Sequence, residues 1–386
     1  MITDRAVVRP DNRCRMPALD GVRGIAVLAV FLFHYGGGAT SPNILLRAVG
    51  TIKQFGWSGV DLFFVLSGFL ITGILFDTRN EKGYFSKFYA RRALRLFPLL
   101  LGITLILIAL TPLLHLQWRI GHIAYLFYGA NVISYFDPTL NGVPPYFGLA
   151  HFWSLAVEEQ FYLIWPLIIY LIPERERLIR VCIAIIIGAL FLRIALYESR
   201  IVVTEFLFME TPCRMDSFAI GGLLALLLRR EKSNLSYWLP RWMLGTGISI
   251  VAIIMAFAHS FEGTSPMMST VGLTFVAMIA GSFILYALRE GSWINRICMI
   301  SFLRVCGEYS YGIYIYHGLL RPILQPQLPY YVNKFHSMML GGVLFVGVSF
   351  SIIFLISATS YTFYEKPLMK LKTLFSYHAR VKVLEL

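Results

Sequence analysis

The stretch LDGVRGIAVLAVFLFHYGG, residues 19–37, places two ionisable side chains, Arg23 and His34, inside an apolar run of membrane length. Ionisable residues in such runs are rare and mark functional sites by default. On an α-helix, the separation between these residues turns through about 1100°, close to three full turns, and rises by about 16 Å. Arg23 and His34 are therefore expected on one helix face at different depths.

Each of these two residues also has a simpler interpretation. Arg23 lies near the start of the run, where a guanidinium can snorkel to the lipid headgroups. His34 lies near the far end, where a histidine can sit at the interface. The shared helix face favours a functional role for the pair.

The composition indicates a polytopic membrane protein. Of 386 residues, 57% are hydrophobic and only 14% are charged, and the mean hydropathy is +0.68, whereas about a quarter of the residues in a soluble protein are charged. The net charge of +13 does not indicate nucleic-acid binding, because the basic residues cluster in short connections between apolar runs. The five cysteines form no CxxC pair, so neither a zinc site nor a disulfide framework is predicted.

Ten apolar runs are long enough to cross about 30 Å of hydrocarbon. They lie near residues 19–35, 58–76, 96–116, 151–172, 178–197, 213–228, 242–260, 269–288, 307–325 and 338–360. Short loops join these runs and leave no room for a soluble domain. The predicted fold class is all-α, a polytopic transmembrane helix bundle of about ten spans.

Basic residues predict the orientation. Arginines at positions 5, 9, 13 and 15 and a basic tail after Tyr364 place both termini in the cytoplasm, which requires an even number of crossings. With ten crossings the basic loops fall inside, whereas the outer loops 137–150 and 261–268 carry no Lys or Arg. An eleventh apolar candidate, residues 119–136, is therefore predicted to be an interfacial or re-entrant element.

This topology divides the chain into three parts. Residues 1–16 form a cytoplasmic tail, residues 17–372 the transmembrane domain, and residues 373–386 a second cytoplasmic tail. No clean small-residue cleavage site follows the first run, so we expect a retained signal anchor. The first helix then runs outwards, with Arg23 towards the cytoplasm and His34 towards the exterior.

A second unusual stretch, HFWSLAVEEQFYLIWPLII, covers residues 151–169 and places Glu158 and Glu159 within an apolar span. Adjacent buried carboxylates do not both ionise easily, so one is expected to be protonated or paired. Both glutamates lie about 10 Å below the outer end of the helix. We take His34 to lie at a similar depth. A general base, His34, oriented by Glu158 or Glu159 is the predicted arrangement. The alternatives are a bridge between helices and a proton path.

A third cluster, FSKFYARRALRLFP, covers residues 85–98 on the cytoplasmic side. Arg92 and Arg95 are three residues apart and share a helix face, which suits bidentate contact with phosphate oxygens. A basic flank that meets anionic lipid is the alternative.

Several other residues carry weaker predictions. Asp61 is expected near the outer face, at a helix end or beside His34. His317 falls near the middle of its span, and its neighbours Tyr311 and Tyr314 suit either packing or a cavity lining. The other histidines, including His151, receive no role, and glycines in the second span are expected to allow close helix packing.

Six segments, taken in order, resemble the acyltransferase-3 family of integral membrane acyltransferases. They are LDGVRG followed by His34, GVDLFFVLSGFLIT, RRALR, HFWSLAVEEQFYLIWP, YSYGIYIYHG and YEKP, and the resemblance extends over residues 17–372. It implies a protein of about ten helices in the bacterial cytoplasmic (inner) membrane. Such a protein moves an acyl group, usually acetyl from cytoplasmic acetyl-CoA, onto hydroxyls of surface polysaccharides, lipopolysaccharide, peptidoglycan or Nod factors, and in some members onto macrolides.

The resemblance also implies roles for the site residues. Arg23 and His34 correspond to the functional motif of the first helix, and Arg92 and Arg95 belong to the acyl-donor side. Glu158 and Glu159 match the Val-Glu-Glu-Gln-Phe-Tyr box of the family. No metal is expected. Some relatives append an extracytoplasmic SGNH hydrolase-like domain, and we expect this chain either to complete the acyl transfer itself or to depend on a separate protein for it.

The expected mechanism starts with acetyl-CoA, or another acyl-CoA, bound from the cytoplasm with its phosphates near Arg92 and Arg95. His34 then deprotonates the acceptor hydroxyl or carries the acetyl group itself. The expected acceptor is an extracytoplasmic or lipid-linked carbohydrate, such as exopolysaccharide or the lipopolysaccharide O-antigen, contacted by the loop 36–57 and the segment 138–148. The alternatives are acylation of a macrolide or another small glycoside, and a non-enzymatic transporter or flippase.

Overall fold

The computed structural model describes residues 16–36, 53–229, 235–258 and 262–377, together with residues 50 and 260, and this part of the chain is almost entirely helical. The first nine helices are α1 (Pro17–Tyr35), α2 (Gly59–Thr78), α3 (Tyr84–Leu114), α4 (Ile123–Leu126), α5 (Ala130–Phe136), α6 (Phe152–Leu171), α7 (Arg175–Glu198), α8 (Thr204–Met209) and α9 (Thr211–Leu227). The others are α10 (Leu235–Ala258), α11 (Leu273–Leu288), α12 (Trp293–Cys298), α13 (Ser301–Glu308), α14 (Ser310–Leu319), α15 (Arg321–Leu324), α16 (Leu328–Lys334), α17 (Met338–Ser360) and α18 (Lys366–Met369).

Short irregular elements join these helices. A two-residue antiparallel pair, β1 (Gly142–Val143) and β2 (Phe147–Gly148), sets Val143 opposite Phe147. Short 3₁₀-helices cover Phe55–Ser58, Ile120–His122, Pro138–Leu140, Gln325–Gln327 and Lys370–Phe375, and π-helical turns cover Met268–Gly272 and Tyr361–Glu365.

Seven helical segments in the described ranges are long and apolar enough to cross a membrane. They are Pro17–Tyr35, Phe55–Thr78, Tyr84–Leu114, Arg175–Glu198, Trp238–Ala258, Met268–Leu288 and Met338–Phe375. The prediction of an all-α membrane protein is thus confirmed, whereas the count of ten crossings and the cytoplasmic termini stay predictions. The tails 1–15 and 378–386 lie outside the described residues.

Three predicted spans are not among these seven. The predicted span 151–172 forms α6, which contains both glutamates, and the predicted span 213–228 forms α9, which has only 17 residues. The prediction of one continuous helix over 307–325 is wrong, because this stretch is divided among α13, α14 and α15. The ten residues of α14 rise about 15 Å, half the hydrocarbon thickness, and Pro322 lacks the N–H that would continue this helix.

The stretch 119–136 contains no helix long enough to cross the membrane. It folds into the 3₁₀ turn Ile120–His122, the four-residue α4 and the seven-residue α5. These elements bury His122 and Tyr125 beneath the loop that carries β1 and β2.

The helices around the core pack at the distance of backbone contact. A Cβ atom added to Gly21 would lie 1.9 Å from the carbonyl oxygen of Cys298, and one added to Gly68 would lie 2.1 Å from that of Phe218. Small residues allow this approach, which drives helix association where lipid offers no hydrophobic gain. The predicted packing role of glycines in the second span is therefore supported at Gly68.

A stack of aromatic rings joins α2, α6 and α9. The ring of Phe218 lies 4.6 Å from that of Phe64 and 4.4 Å from that of Phe161, measured between centroids. All three side chains are buried, so this stack forms the centre of the bundle next to the ionisable residues described below.

Two buried ion pairs cross the same region. Arg214 of α9 donates to Asp61 of α2 at 2.7 Å, and Arg193 of α7 donates to Asp216 of α9 at 2.8 Å. None of the four is exposed to solvent. Asp61 lies in the first turn of α2, as expected for a helix end, but its charged partner is Arg214 of the adjoining helix α9 and not His34.

Removing one member of such a pair leaves an uncompensated charge in a medium of low dielectric. We expect Arg214→Met to destabilise the protein by about 3–5 kcal/mol, and the double variant Asp61→Leu with Arg214→Met to recover most of that loss. Thermal unfolding in detergent, followed by intrinsic fluorescence, measures both. A double variant no more stable than Arg214→Met would show that the two charges do not compensate each other.

Candidate active site

A cavity near the N-terminal end of α1, here called the arginine cavity, gathers three of the predicted cationic residues. Its walls are formed by Arg23, Val60, Phe63, Phe64, Leu66, Ser67, Leu70, Arg92, Arg95, Leu96, Ser154, Leu155, Glu158, Tyr162, Ser310, Tyr311 and Tyr314. Arg23 also contacts Asp20 one helical turn earlier, at 3.1 Å. The guanidinium of Arg92 lies 4.4 Å from the ring centroid of Tyr162.

The arginines of helix α3 have different surroundings. Arg92 and Arg95 lie one turn apart and both line the cavity, as their spacing predicted. Arg91 instead donates to the carbonyl oxygen of Lys372 at 3.1 Å and lies near the ring of Tyr377, so it holds the C-terminal segment. A neighbouring cavity shares Arg23, Arg95 and Tyr311 with the arginine cavity. Its remaining walls come from Asp20, Gly307, Glu308, Tyr309, Gly312, Tyr361, Glu365 and Met369.

The two glutamates differ in position. Glu158 lines the arginine cavity and accepts a hydrogen bond from the hydroxyl of Tyr162, which also pairs with Ser67. Glu159, the next residue on α6, points about 100° away and is not among the residues that line this cavity. Glu158 is therefore the glutamate that faces the site.

A second cavity, here called the histidine cavity, lies at the C-terminal end of α1 and has a volume of ≈ 430 Å³. Aromatic side chains dominate its wall, with polar groups at Gln54, Glu262 and Thr264. Its full lining is Val30, Phe33, His34, Gln54, Trp57, Val60, Ala150, His151, Trp153, Phe208, Met209, Glu262, Gly263, Thr264 and Tyr314. Helix α1 thus supplies Arg23 to one cavity and His34 to the other.

Three histidines meet beside this cavity. The ring of His317 lies 5.0 Å from that of His34 and 5.2 Å from that of His151, measured between centroids. His317 and His151 are almost fully buried. The sequence predicts no role for His151. Near His317 it predicts only that Tyr311 and Tyr314 pack or line a cavity. The signal available was that both histidines lie in apolar segments of the acyltransferase-like motifs.

The hydrogen bonds of these rings define which nitrogens carry protons. Nδ1 of His317 faces the carbonyl oxygen of Tyr314, which only accepts, so Nδ1 is the donor and Nε2 of neutral His317 is an acceptor. Nδ1 of His34 faces this Nε2 at 3.3 Å and the carbonyl oxygen of Val30 at 3.0 Å. Both neighbours accept, so Nδ1 of His34 carries its proton, and Nε2 keeps the lone pair.

The expected pairing of His34 with Glu158 or Glu159 is not found. His34 has His317 and the backbone of Val30 as ring partners, whereas Glu158 lines the arginine cavity. The reason is depth: His151, at the start of α6, is level with His34, and Glu158 follows seven residues later, about 10 Å further along the helix.

Of the two segments expected to contact an acceptor, the described part of one lines the histidine cavity and the other does not. Residues 37–49, 51 and 52 lie outside the described residues, but Gln54 and Trp57 line the histidine cavity. Residues 138–148 pack instead against α3 and α14, with Val143 and Phe147 in one hydrophobic cluster with Leu99 and Leu100. Among the described residues, no group of three or more His, Cys, Asp or Glu side chains is arranged to hold a metal ion.

Comparison with known proteins gives one family. A family model described as an acyltransferase domain, of the acyltransferase-3 type, matches residues 16–360. The chain is 30% identical over 385 residues to YrhL of Bacillus subtilis, with 92% of this chain and 55% of that protein covered. It is 29% identical over 387 residues to the peptidoglycan O-acetyltransferase OatA of Listeria monocytogenes, with 93% and 56% covered.

A third relative is the O-acetyltransferase OatA of Staphylococcus aureus, 26% identical over 385 residues, with 92% of this chain and 57% of the relative covered. The chain therefore spans a little over half the length of these relatives. No solved structure matches the chain.

The proton positions in the histidine cluster are directly measurable. We expect ¹⁵N NMR of the protein with labelled histidine to find neutral His34 protonated at Nδ1 and not at Nε2, because both neighbours of Nδ1 are acceptors. In His317→Phe one acceptor is lost, so the Nε2-protonated form should increase. A wild-type His34 protonated at Nε2 would contradict the assignment.

Proposed function

Since this chain belongs to the acyltransferase-3 family, we propose that it is a membrane O-acetyltransferase that transfers the acyl group of a cytoplasmic acyl-CoA to a carbohydrate hydroxyl on the outer side and releases coenzyme A. The observation that carries the proposal is the placement of Arg23 and His34 on one helix, each in its own cavity. Ten crossings with both termini in the cytoplasm of a bacterial cell belong to the same proposal, as the loop charges favour them.

The arginine cavity suits the acyl donor. Arg23, Arg92 and Arg95 bring three positive charges to its wall, against the single carboxylate of Glu158 and that of nearby Asp20. Coenzyme A is rich in phosphate, and guanidinium groups bind phosphate oxygens through paired hydrogen bonds. In our proposal the phosphates lie near Arg92 and Arg95, and the slender pantetheine arm passes Arg23 towards the outer end of α1.

His34 is the proposed general base. Its Nε2 takes the proton from the acceptor hydroxyl, the alkoxide oxygen attacks the thioester carbonyl, and the C–S bond then breaks. The proton on Nε2 passes to the departing thiolate, so atoms and charges balance. A second route, in which Nε2 itself carries the acetyl group, needs the same lone pair.

His317 takes the positioning role expected of a glutamate. Its Nε2 accepts from Nδ1 of His34 and so orients the ring, as the third member of a catalytic triad does. Glu158 stays in the proposal as a residue of the donor cavity, where its hydrogen bond from Tyr162 fixes the side chain beside Arg92. Glu159 lines neither cavity, and we assign it no direct part in acyl transfer.

The histidine cavity suits the acceptor. Its volume of ≈ 430 Å³ accommodates a sugar ring, and the faces of Trp57, Trp153 and Phe208 give it apolar walls. Gln54 and Glu262 supply polar groups that can orient hydroxyls. The named activity of the Listeria relative, peptidoglycan O-acetylation, makes a peptidoglycan glycan the first acceptor to try, ahead of exopolysaccharide or lipopolysaccharide.

Replacement of the base tests the activity. In proteoliposomes supplied with radiolabelled acetyl-CoA and a soluble peptidoglycan fragment, His34→Ala should lower kcat by about 10²- to 10⁴-fold, because proton transfer is lost. His122→Ala, at a buried histidine of the segment 119–136, serves as the control for loss of a histidine. Near-normal turnover in His34→Ala would refute the mechanism. If the wild-type protein and His122→Ala also transfer no label, a transporter or flippase is favoured.

The donor cavity has a separate test. The double variant Arg92→Ala with Arg95→Ala should raise the KM for acetyl-CoA about tenfold or more, since each charged hydrogen bond to phosphate contributes about 1.5–3 kcal/mol. Arg91→Ala is the matched control on the same helix, because Arg91 contacts the C-terminal segment instead of the cavity. Equal KM values in the wild-type protein, the double variant and Arg91→Ala would show that Arg92 and Arg95 serve only to orient the chain in the membrane.

A further inference from the structure

The arginine cavity and the histidine cavity are separated by a thin wall. Val60 of α2 and Tyr314 of α14 line both of them. Both side chains are buried, at 7% and 6% exposure, and they are the residues that the two linings share. A group that moves from the arginines to His34 must pass this pair.

Tyr314 is held in place from both sides. Its hydroxyl pairs with Ser154, which lines the arginine cavity, and lies 3.3 Å from the carbonyl oxygen of His151, at the histidine cavity. Its ring meets that of Phe63 edge to face, with 6.1 Å between centroids. A ring fixed in this way cannot simply turn aside when a ligand arrives.

Val60 is held by the backbone beside it. A Cβ atom added to Gly59 would lie 2.5 Å from the carbonyl oxygen of Ala26 and 2.9 Å from Cγ2 of Val30. The start of α2 therefore presses directly on α1, and the wall cannot retreat in that direction. Val60 and Tyr314 line the same two cavities, so the size of the valine side chain bears directly on the space beside a ring that is fixed.

Resting on the proposed function, we propose that Val60 and Tyr314 form a constriction that sets the length of the acyl group transferred. The thioester end of the donor enters this constriction, and the acyl chain must fit between the valine methyl groups and the tyrosine ring before it meets His34. The site then takes short-chain acyl thioesters, acetyl above all, and rejects longer chains by contact with the wall. Tyr314 and Val60 are thus specificity residues, and the chemistry stays with His34.

The closing experiment compares donors on two matched variants. Val60→Ala removes two methyl groups from the constriction, and Val65→Ala makes the same change five residues later on α2, at a fully buried valine that lines neither cavity. We measure kcat/KM with butyryl-CoA and with acetyl-CoA for each protein. The butyryl-to-acetyl ratio should rise at least about tenfold in Val60→Ala, because one methylene changes discrimination by about 10- to 200-fold. It should not change in Val65→Ala.

A second variant narrows the opening. Val60→Phe should lower kcat for acetyl-CoA, because the larger side chain obstructs the path of the thioester towards His34. If this larger side chain prevents folding, Tyr314→Phe, which should loosen the opening instead of narrowing it, is measured in its place. Loss of the hydroxyl releases the ring from Ser154 and should raise the butyryl-to-acetyl ratio, in the same direction as Val60→Ala.

Failure of the constriction and failure of the proposed function give different results. If the wild-type protein transfers acetyl groups but Val60→Ala keeps the wild-type butyryl-to-acetyl ratio, the constriction is refuted and the transferase survives. The same holds if Val65→Ala shifts the ratio as much as Val60→Ala. If the wild-type protein transfers no acyl group from any donor, the proposed function itself fails.

Discussion

Backbone-to-backbone contact between α1 and its neighbours fixes the site. A Cβ atom added to Gly24 would lie 2.0 Å from the carbonyl oxygen of Leu303, and one added to Gly307 would lie 1.8 Å from that of Asp20. No other residue type fits at such distances, so α1 has one position relative to α13. Because Arg23 and His34 belong to this helix, its position decides which side chains each of them can meet.

The charges in the bundle fall into two groups with different consequences. The pairs Arg214–Asp61 and Arg193–Asp216 are neutral overall and fully buried, so they join helices without attracting a ligand. The arginine cavity, by contrast, has more cationic than anionic side chains on its wall. An excess of positive charge in a medium of low dielectric favours an anionic ligand, which explains why the same residue type holds the fold in one place and suits phosphate in another.

The sequence predicted the elements better than their relative depth. Hydropathy and helical periodicity located α1 and the shared faces of Arg23 with His34 and of Arg92 with Arg95, because those depend on one helix at a time. The partner of His34 depends on how far α6 and α14 are shifted along the membrane normal relative to α1. Hydropathy carries no such information, so Glu158 was expected where His317 lies. The breaks between α13, α14 and α15 were not predicted, although Glu308, Arg321 and Pro322 interrupt the apolar residues of that stretch.

The central claim is that one helix links a donor compartment to an acceptor compartment. Sealed proteoliposomes of known orientation test it: radiolabelled acetyl-CoA is enclosed on the side of Arg92 and Arg95, and a soluble peptidoglycan fragment is supplied only on the opposite side. The account predicts label on the fragment without release of acetyl-CoA from the vesicles, and no label when both compartments are exchanged. Labelling that requires donor and acceptor on the same side would contradict it.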